Sequence, residues 1–143
     1  MNKVSFQETV DRIAQEYPQY DTNVYYFLRE ALDYTIKMFE KPLEGPARHV
    51  SGTELLDGIR KYALQEFGPM TRTVLRYWGV NHCEDFGEIV FIMVEKGVLG
   101  KTDEDRKEDF AGGYDFDTAF CKPFRPAQKN MPATTTSPIL PPA

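Results

Sequence analysis

Two copies of one short signal constrain this chain more than any other feature: Ser5 with Glu8, and Ser51 with Glu54, each an S-x-x-E pattern directly ahead of apolar residues at helical spacing. In such a capping box the serine hydroxyl accepts from the orphan N–H three residues on, and the glutamate reaches back to the serine N–H. The pattern therefore marks where a helix begins. After the first box Phe6, Val10, Ile13 and Tyr17 recur on one helical face until Pro18 ends the segment. After the second, Leu55, Leu56, Ile59, Tyr62, Ala63 and Phe67 supply the stripe, and Gly68 with Pro69 supplies the stop.

The longest stripe lies between them. Val24, Phe27, Leu28, Ala31, Leu32, Ile36 and Phe39 follow the i, i+3, i+4 pattern, with Asp21 or Thr22 as cap. Tyr25, Tyr26 and Tyr34 stand on its other sides, to be covered by neighbouring segments or by a partner. Lys41 to Val50 holds two prolines and a glycine without periodicity, and reads as a connecting loop. Pro69 can open a fourth helix with Val74, Leu75 and Trp78 inward and Gly79 at its end. Asn81 with Glu84 then caps a fifth that runs through Phe86, Ile89, Val90, Met93 and Val94 to Gly97.

After Gly100, Thr102 and Asp105 can cap a short charged helix, DEDRKEDF, whose Phe110 returns to the core. YDFDTAF, Tyr114 to Phe120, fits either a short strand or one helical turn capped by Asp115 or Asp117. From Pro126 onward, five of the ten prolines fall among small polar residues, too little apolar surface to offset ordering. The expectation is a mainly α chain: a compact domain of five to six helices over residues 1–125, followed by a disordered Pro-rich tail over 126–143.

Thr71 to Phe91, TRTVLRYWGVNHCEDFGEIVF, has the rhythm of a helix-turn-helix, with EKGVLGKT and YDFDTAF as loose counterparts of winged-helix strands. The chain is read as at most a degenerate form of that fold. A recognition helix sets its first turns beside DNA phosphates, and here those turns carry Glu84, Asp85 and Glu88. DNA is therefore an unlikely partner on charge. A net charge of −5 argues the same way for nucleic acid and anionic membrane as a whole.

Two cysteines are too few for a secreted disulfide framework, and the first residues show no basic start ahead of an apolar run, so a cytoplasmic location is expected. IVFIMV, Ile89 to Val94, falls far short of the roughly 20 apolar residues that span a bilayer. Phosphate loops, nucleophile elbows and H-E-x-x-H are missing, which makes an enzyme the less favoured class. His49, His82, Cys83 and Cys121 lack metal-ligand spacing, and the aspartates from Asp103 to Asp117 form no calcium loop, so no metal and no cofactor are expected. Arg72 and Arg76, one helical turn apart, join Lys61 and Arg60 as a candidate basic patch for a partner, with Glu54, Asp57 and Glu66 near enough to neutralise it.

The strings HVSGTELLDGIRKYALQEFGPMTRTVLRYWGV and EDFGEIVFIMVEKGVLGKTDEDRKEDFAGGYDFDTAF resemble an uncharacterised family of small bacterial proteins of the planctomycete and verrucomicrobial type. The resemblance runs from about Phe6 to Pro126 and is most specific in HVSG, EFGP and EDF. It implies a bacterial, single-domain protein and carries no assigned activity. The leading functional expectation is a noncatalytic protein-interaction or adaptor domain, with Lys61, Arg72 and Arg76 as candidate partner-binding residues. An RNA- or ribosome-associated factor docking through that patch is the alternative. An uncharacterised enzyme with a pocket around the aromatic second helix is the third.

Overall fold

The computed structural model describes residues 5–100 and 106–125. Five α-helices carry the fold: α1 (Phe6–Glu16), α2 (Asn23–Met38), α3 (Gly52–Phe67), α4 (Thr71–Tyr77) and α5 (Cys83–Glu95), with no strand among the described residues. The mainly helical expectation holds. The cap of the charged segment at Thr102 and Asp105, and the Pro-rich tail, lie outside the described residues.

Both capping boxes form as read. Ser5 and Ser51 each accept from the N–H three residues on at 3.1 Å, and Glu8 and Glu54 each accept the serine N–H in return. The Ser51 N–H holds the Glu54 carboxyl below its usual range, and the Lys41 ammonium 3.2 Å away adds to this. The cap of α5 sits one residue later than Asn81 with Glu84 would place it. His82 is the N-cap, and the Asp85 carboxylate takes the N–H groups of Asn81 at 2.8 Å and His82 at 3.1 Å. Asp85 prevails because it also receives the Tyr20 hydroxyl at 3.0 Å, a third bond that Glu84 does not have. Glu84 instead accepts from the Gly112 N–H.

The most extensive helix pair is α2 with α3, and α5 packs across both. Helix α5 is enclosed on most sides: Cys83, Phe86, Gly87, Ile89, Val90, Ile92 and Met93 are buried, and its exposed positions are Glu84, Glu88 and Glu95. α1 inserts Val10 and Ile13, both fully buried, and the Lys96 ammonium meets Glu16 at 2.6 Å where the ends of α1 and α5 adjoin. The turn after α4 is held to the α1–α2 loop by the Asp21 N–H, which donates to the Trp78 carbonyl at 3.1 Å.

Two sequence expectations are corrected by this packing, and one left open is decided. Phe39 is 38% exposed rather than core, because α2 ends at Met38 and Glu40 turns the chain through a positive φ of 54°. Val74 is half-buried while Leu75 is fully buried, so α4 presents a narrower inner face than its composition suggests. Tyr25 lies off the apolar stripe yet is 0% exposed, covered by this chain's own segments. The open choice over Tyr114 to Phe120 resolves to a π-helical turn at Asp117–Cys121, with the Thr118 N–H donating to the Asp115 carboxylate at 3.0 Å. The described residues of the segments likened to winged-helix strands therefore form the end of α5 with its following turn, and this π-turn.

Tyr25 carries a cost that a single substitution removes. Its hydroxyl is buried with no hydrogen-bond partner among the described residues. An unsatisfied buried polar group costs about 1–3 kcal/mol, so Tyr25→Phe is expected to raise stability by about 1 kcal/mol in denaturant titrations. A loss of similar size would show that the hydroxyl has a partner.

Four tyrosines make the fold sensitive to alkali. Burial pushes the Tyr25 phenol up to about 12, and burial together with the bond to Glu30 does the same for Tyr62. Tyr20, beside Asp85, and Tyr114 are raised further, burial being the main cause in both. Each raised group favours the neutral phenol in the folded state. Its contribution is complete below the unfolded value of about 10 and is lost as pH rises through the folded value. Denaturation midpoints should hold up to about pH 9, where the raised Cys83 thiol begins to contribute, and fall from there through pH 12, with a shallower fall in Tyr25→Phe.

Candidate binding surfaces

The three residues of the expected basic patch meet different fates. Lys61 is exposed, with its ammonium 3.8 Å from the Asp57 carboxylate, which Arg60 also approaches at 3.2 Å. Arg72 is half-buried: its Nη2 donates to Asn81 Oδ1 at 3.3 Å, its guanidinium lies 5.5 Å from the Phe116 ring centre, and its Nη1 has no partner among the described residues. Arg76 is exposed and forms no ion pair among the described residues. Self-neutralisation thus occurs through Asp57 for the lysine and Arg60, and not for Arg72 or Arg76.

The larger concave feature is one that the sequence does not announce. A cleft of about 400 Å³ opens between the second half of α2, the start of α3 and α5. Leu32, Ile36, Leu55, Val90, Phe91 and Val94 form apolar walls, and Phe110 closes part of the base. Such a volume is in the range that holds a small ligand or a pair of side chains. Phe110 reaches that base because α3 and α5 carry glycines where it docks. A Cβ at Gly52 would stand 3.2 Å from the Phe110 ring, and one at Gly87 3.0 Å from its Cβ.

The rim is polar and mostly cationic. Arg48 and Arg106 line it with Asp109. Arg48 Nη1 donates to the carbonyls of Pro42 and Leu43 at 3.3 and 3.1 Å, which anchors the guanidinium and leaves its remaining N–H groups without an acceptor among the described residues. The Arg106 guanidinium is exposed, while its backbone N–H donates to Asp109 at 3.2 Å. Among the described lining residues two guanidiniums stand against one carboxylate, a balance that favours an anionic group at the mouth. Ser51, also on the wall, has its hydroxyl engaged as the N-cap of α3.

No family model, curated protein or solved structure matches this chain. Among the described residues no three His, Cys, Asp or Glu side chains gather as metal ligands, and no helix is long and apolar enough to cross a membrane. The Cys83 thiol is buried, donates to the Tyr114 carbonyl at 3.4 Å and is pushed up to about 11 by that burial, whereas Cys121 is half-buried.

Sequence reasoning singled out charge on α3 and α4 and missed the cleft. Its walls come from the same apolar stripes that define the core, so no local pattern separates a wall residue from a filled one. The loop glycine and prolines from Lys41 to Val50, which lead into Arg48, were the available signal.

Proposed function

We propose that the protein is a noncatalytic interaction domain whose cleft between α2, α3 and α5 receives an apolar anchor of a partner protein, flanked by a carboxylate that meets Arg48 and Arg106. The observation that carries this reading is the apolar cleft of about 400 Å³ with two arginines at its mouth. Large apolar anchors entering desolvated pockets dominate protein interfaces, and a rim charge selects among partners. The engagement of the Ser51 hydroxyl as a helix cap favours binding over nucleophilic chemistry at this wall.

The RNA alternative rests on Arg72 and Arg76 alone, since Asp57 lies against Lys61. DNA reading through α5 is disfavoured by the enclosure of that helix and by the glutamates on its open side. A cytoplasmic, bacterial setting remains part of the proposal on the cysteine count and the family resemblance.

The test is purification from the cells that make the protein, at low and moderate salt, with three variants beside the wild type. A protein partner that survives moderate salt should be lost with Val94→Arg, which blocks the cleft, and weakened about tenfold by Arg106→Glu at the rim. Arg72→Glu/Arg76→Glu should leave it bound. RNA that is lost with salt and with the Arg72/Arg76 double variant, but not with Val94→Arg, would overturn the reading in favour of RNA docking.

A further inference from the structure

At the opposite end of the α2–α3 pair, a smaller recess of about 250 Å³ is walled by aromatic rings. Phe27, 4% exposed, lies at its base, with the rings of Tyr62, Phe67 and Trp78 centred 5.5, 5.9 and 5.4 Å from it and Tyr26 alongside. Phe67 and Trp78 pack edge to face, with ring centres 5.6 Å apart at 81°. The charged residues on the lining are Glu30 and Glu66, with no lysine or arginine among the described lining residues. Glu30 accepts the Tyr62 hydroxyl at 2.8 Å, which fixes both the ring and the carboxylate.

Aromatics at helical spacing usually fill cores, and Phe27 does so. Tyr26, Tyr62, Phe67 and Trp78 instead remain half-exposed around an open space. Aromatic faces carry the negative part of the ring quadrupole, so a cation that reaches a ring face here is attracted, as the Arg29 guanidinium 5.8 Å from the Tyr26 ring centre is on its outer side, and the two carboxylates at the edge add to that field. A primary ammonium is strongly hydrated and would be held at the edge by Glu30 and Glu66 with its water, rather than over the rings. A quaternary ammonium holds its hydration weakly and presents methyl groups that pack on the rings. We infer that this recess binds a quaternary ammonium headgroup, as carried by choline-type molecules or by a trimethylated lysine. The inference does not depend on the cleft, which uses other residues of α2 and α3.

Trp78 is the chain's single tryptophan, so its fluorescence reports on this recess directly. Titrating the full chain with choline should give a saturable change in emission, at least about tenfold tighter than with 3,3-dimethylbutan-1-ol, the neutral molecule of the same shape. Glu66→Lys, an exposed helical position, should remove the choline response while leaving the circular dichroism spectrum unchanged. Val94→Arg, which blocks the distant cleft, should leave it intact, so failure of either reading is seen separately. A trimethyllysine peptide that binds more tightly than choline identifies a protein source for the headgroup, and choline binding as tightly as the peptide identifies a free small molecule. Equal affinity for choline and its neutral counterpart, an unchanged choline response in Glu66→Lys, or no saturable response to either choline or the peptide overturns the inference.

Discussion

Gly58→Ala is expected to cost about 3 kcal/mol, the reverse of the gain of up to about 1 kcal/mol that the same change gives in an exposed helix. Gly58 lies where α3 crosses α2. A Cβ there would stand 1.7 Å from Thr35 Oγ1 and 2.7 Å from Thr35 Cβ. Rotating the threonine moves its hydroxyl but not its Cβ, so the clash is relieved only by separating the helices. The threonine is also held in place: it is 0% exposed and donates to the Ala31 carbonyl at 2.7 Å. Because α2 with α3 is the principal helix pair, their separation disturbs the cleft at one end and the aromatic recess at the other. Thermal unfolding should shift down by about 10 °C, the fall that about 3 kcal/mol produces in a chain of this size. Thr35→Ala in the same chain removes two of the three offending atoms, and the pair should lose less than the sum of the single changes. A loss below about 1 kcal/mol in Gly58→Ala would show that the two helices can part without penalty.

Phe110→Ala should be comparably severe, at about 3 kcal/mol, and should act on binding as well. Phe110 is 2% exposed and reaches its site at the end of a short 3-10 turn, Lys107–Phe110, whose other residues are charged. Its ring and Cβ fill the space that Gly52 and Gly87 leave on α3 and α5. Removing the ring opens a cavity that continuous helices cannot collapse to fill, which is why the cost exceeds simple transfer of the side chain from core to water. The same ring closes part of the base of the cleft, so the variant should also weaken the partner. Comparison with Arg106→Glu separates the two effects. The exposed arginine should change binding with little change in unfolding, whereas Phe110→Ala should change both. Unaltered stability in Phe110→Ala would mean that the turn Lys107–Phe110 adds nothing to the core.

Much of the helical scaffold was legible from residues near one another in the chain. The boxes at Ser5 and Ser51, the stop at Gly68 and Pro69, and the stripes of α2, α3 and α5 each depend on groups within four positions, and the structure reproduces them. The return of Phe110 to the core was also readable, because one aromatic among charges has few other places to go. The α5 cap was misread by one residue, since Glu84 and Asp85 both satisfy the local pattern and the choice falls to Tyr20, 65 positions away. The burial of Tyr25 and the exposure of Phe39 likewise depend on which segments lie across α2.

The candidate sites divide in the same way. Lys61, Arg72 and Arg76 are visible as charges in the sequence, but whether a charge is satisfied depends on neighbours from other elements. Asp57 draws in Lys61, Asn81 and Phe116 take Arg72, and Arg76 is left outward. The sequence by itself determined that this chain is helical and, to within about two residues, where its principal helices begin and end, because capping, periodicity and chain reversal are local. The tertiary structure alone decided the cleft, and it decided which aromatics stand around the pocket that the sequence suggested at α2. Each is a space between elements, and a space depends on how closely helices approach: Phe110 lies over two glycines and Gly58 admits Thr35, as a matter of steric volume that no single helix encodes.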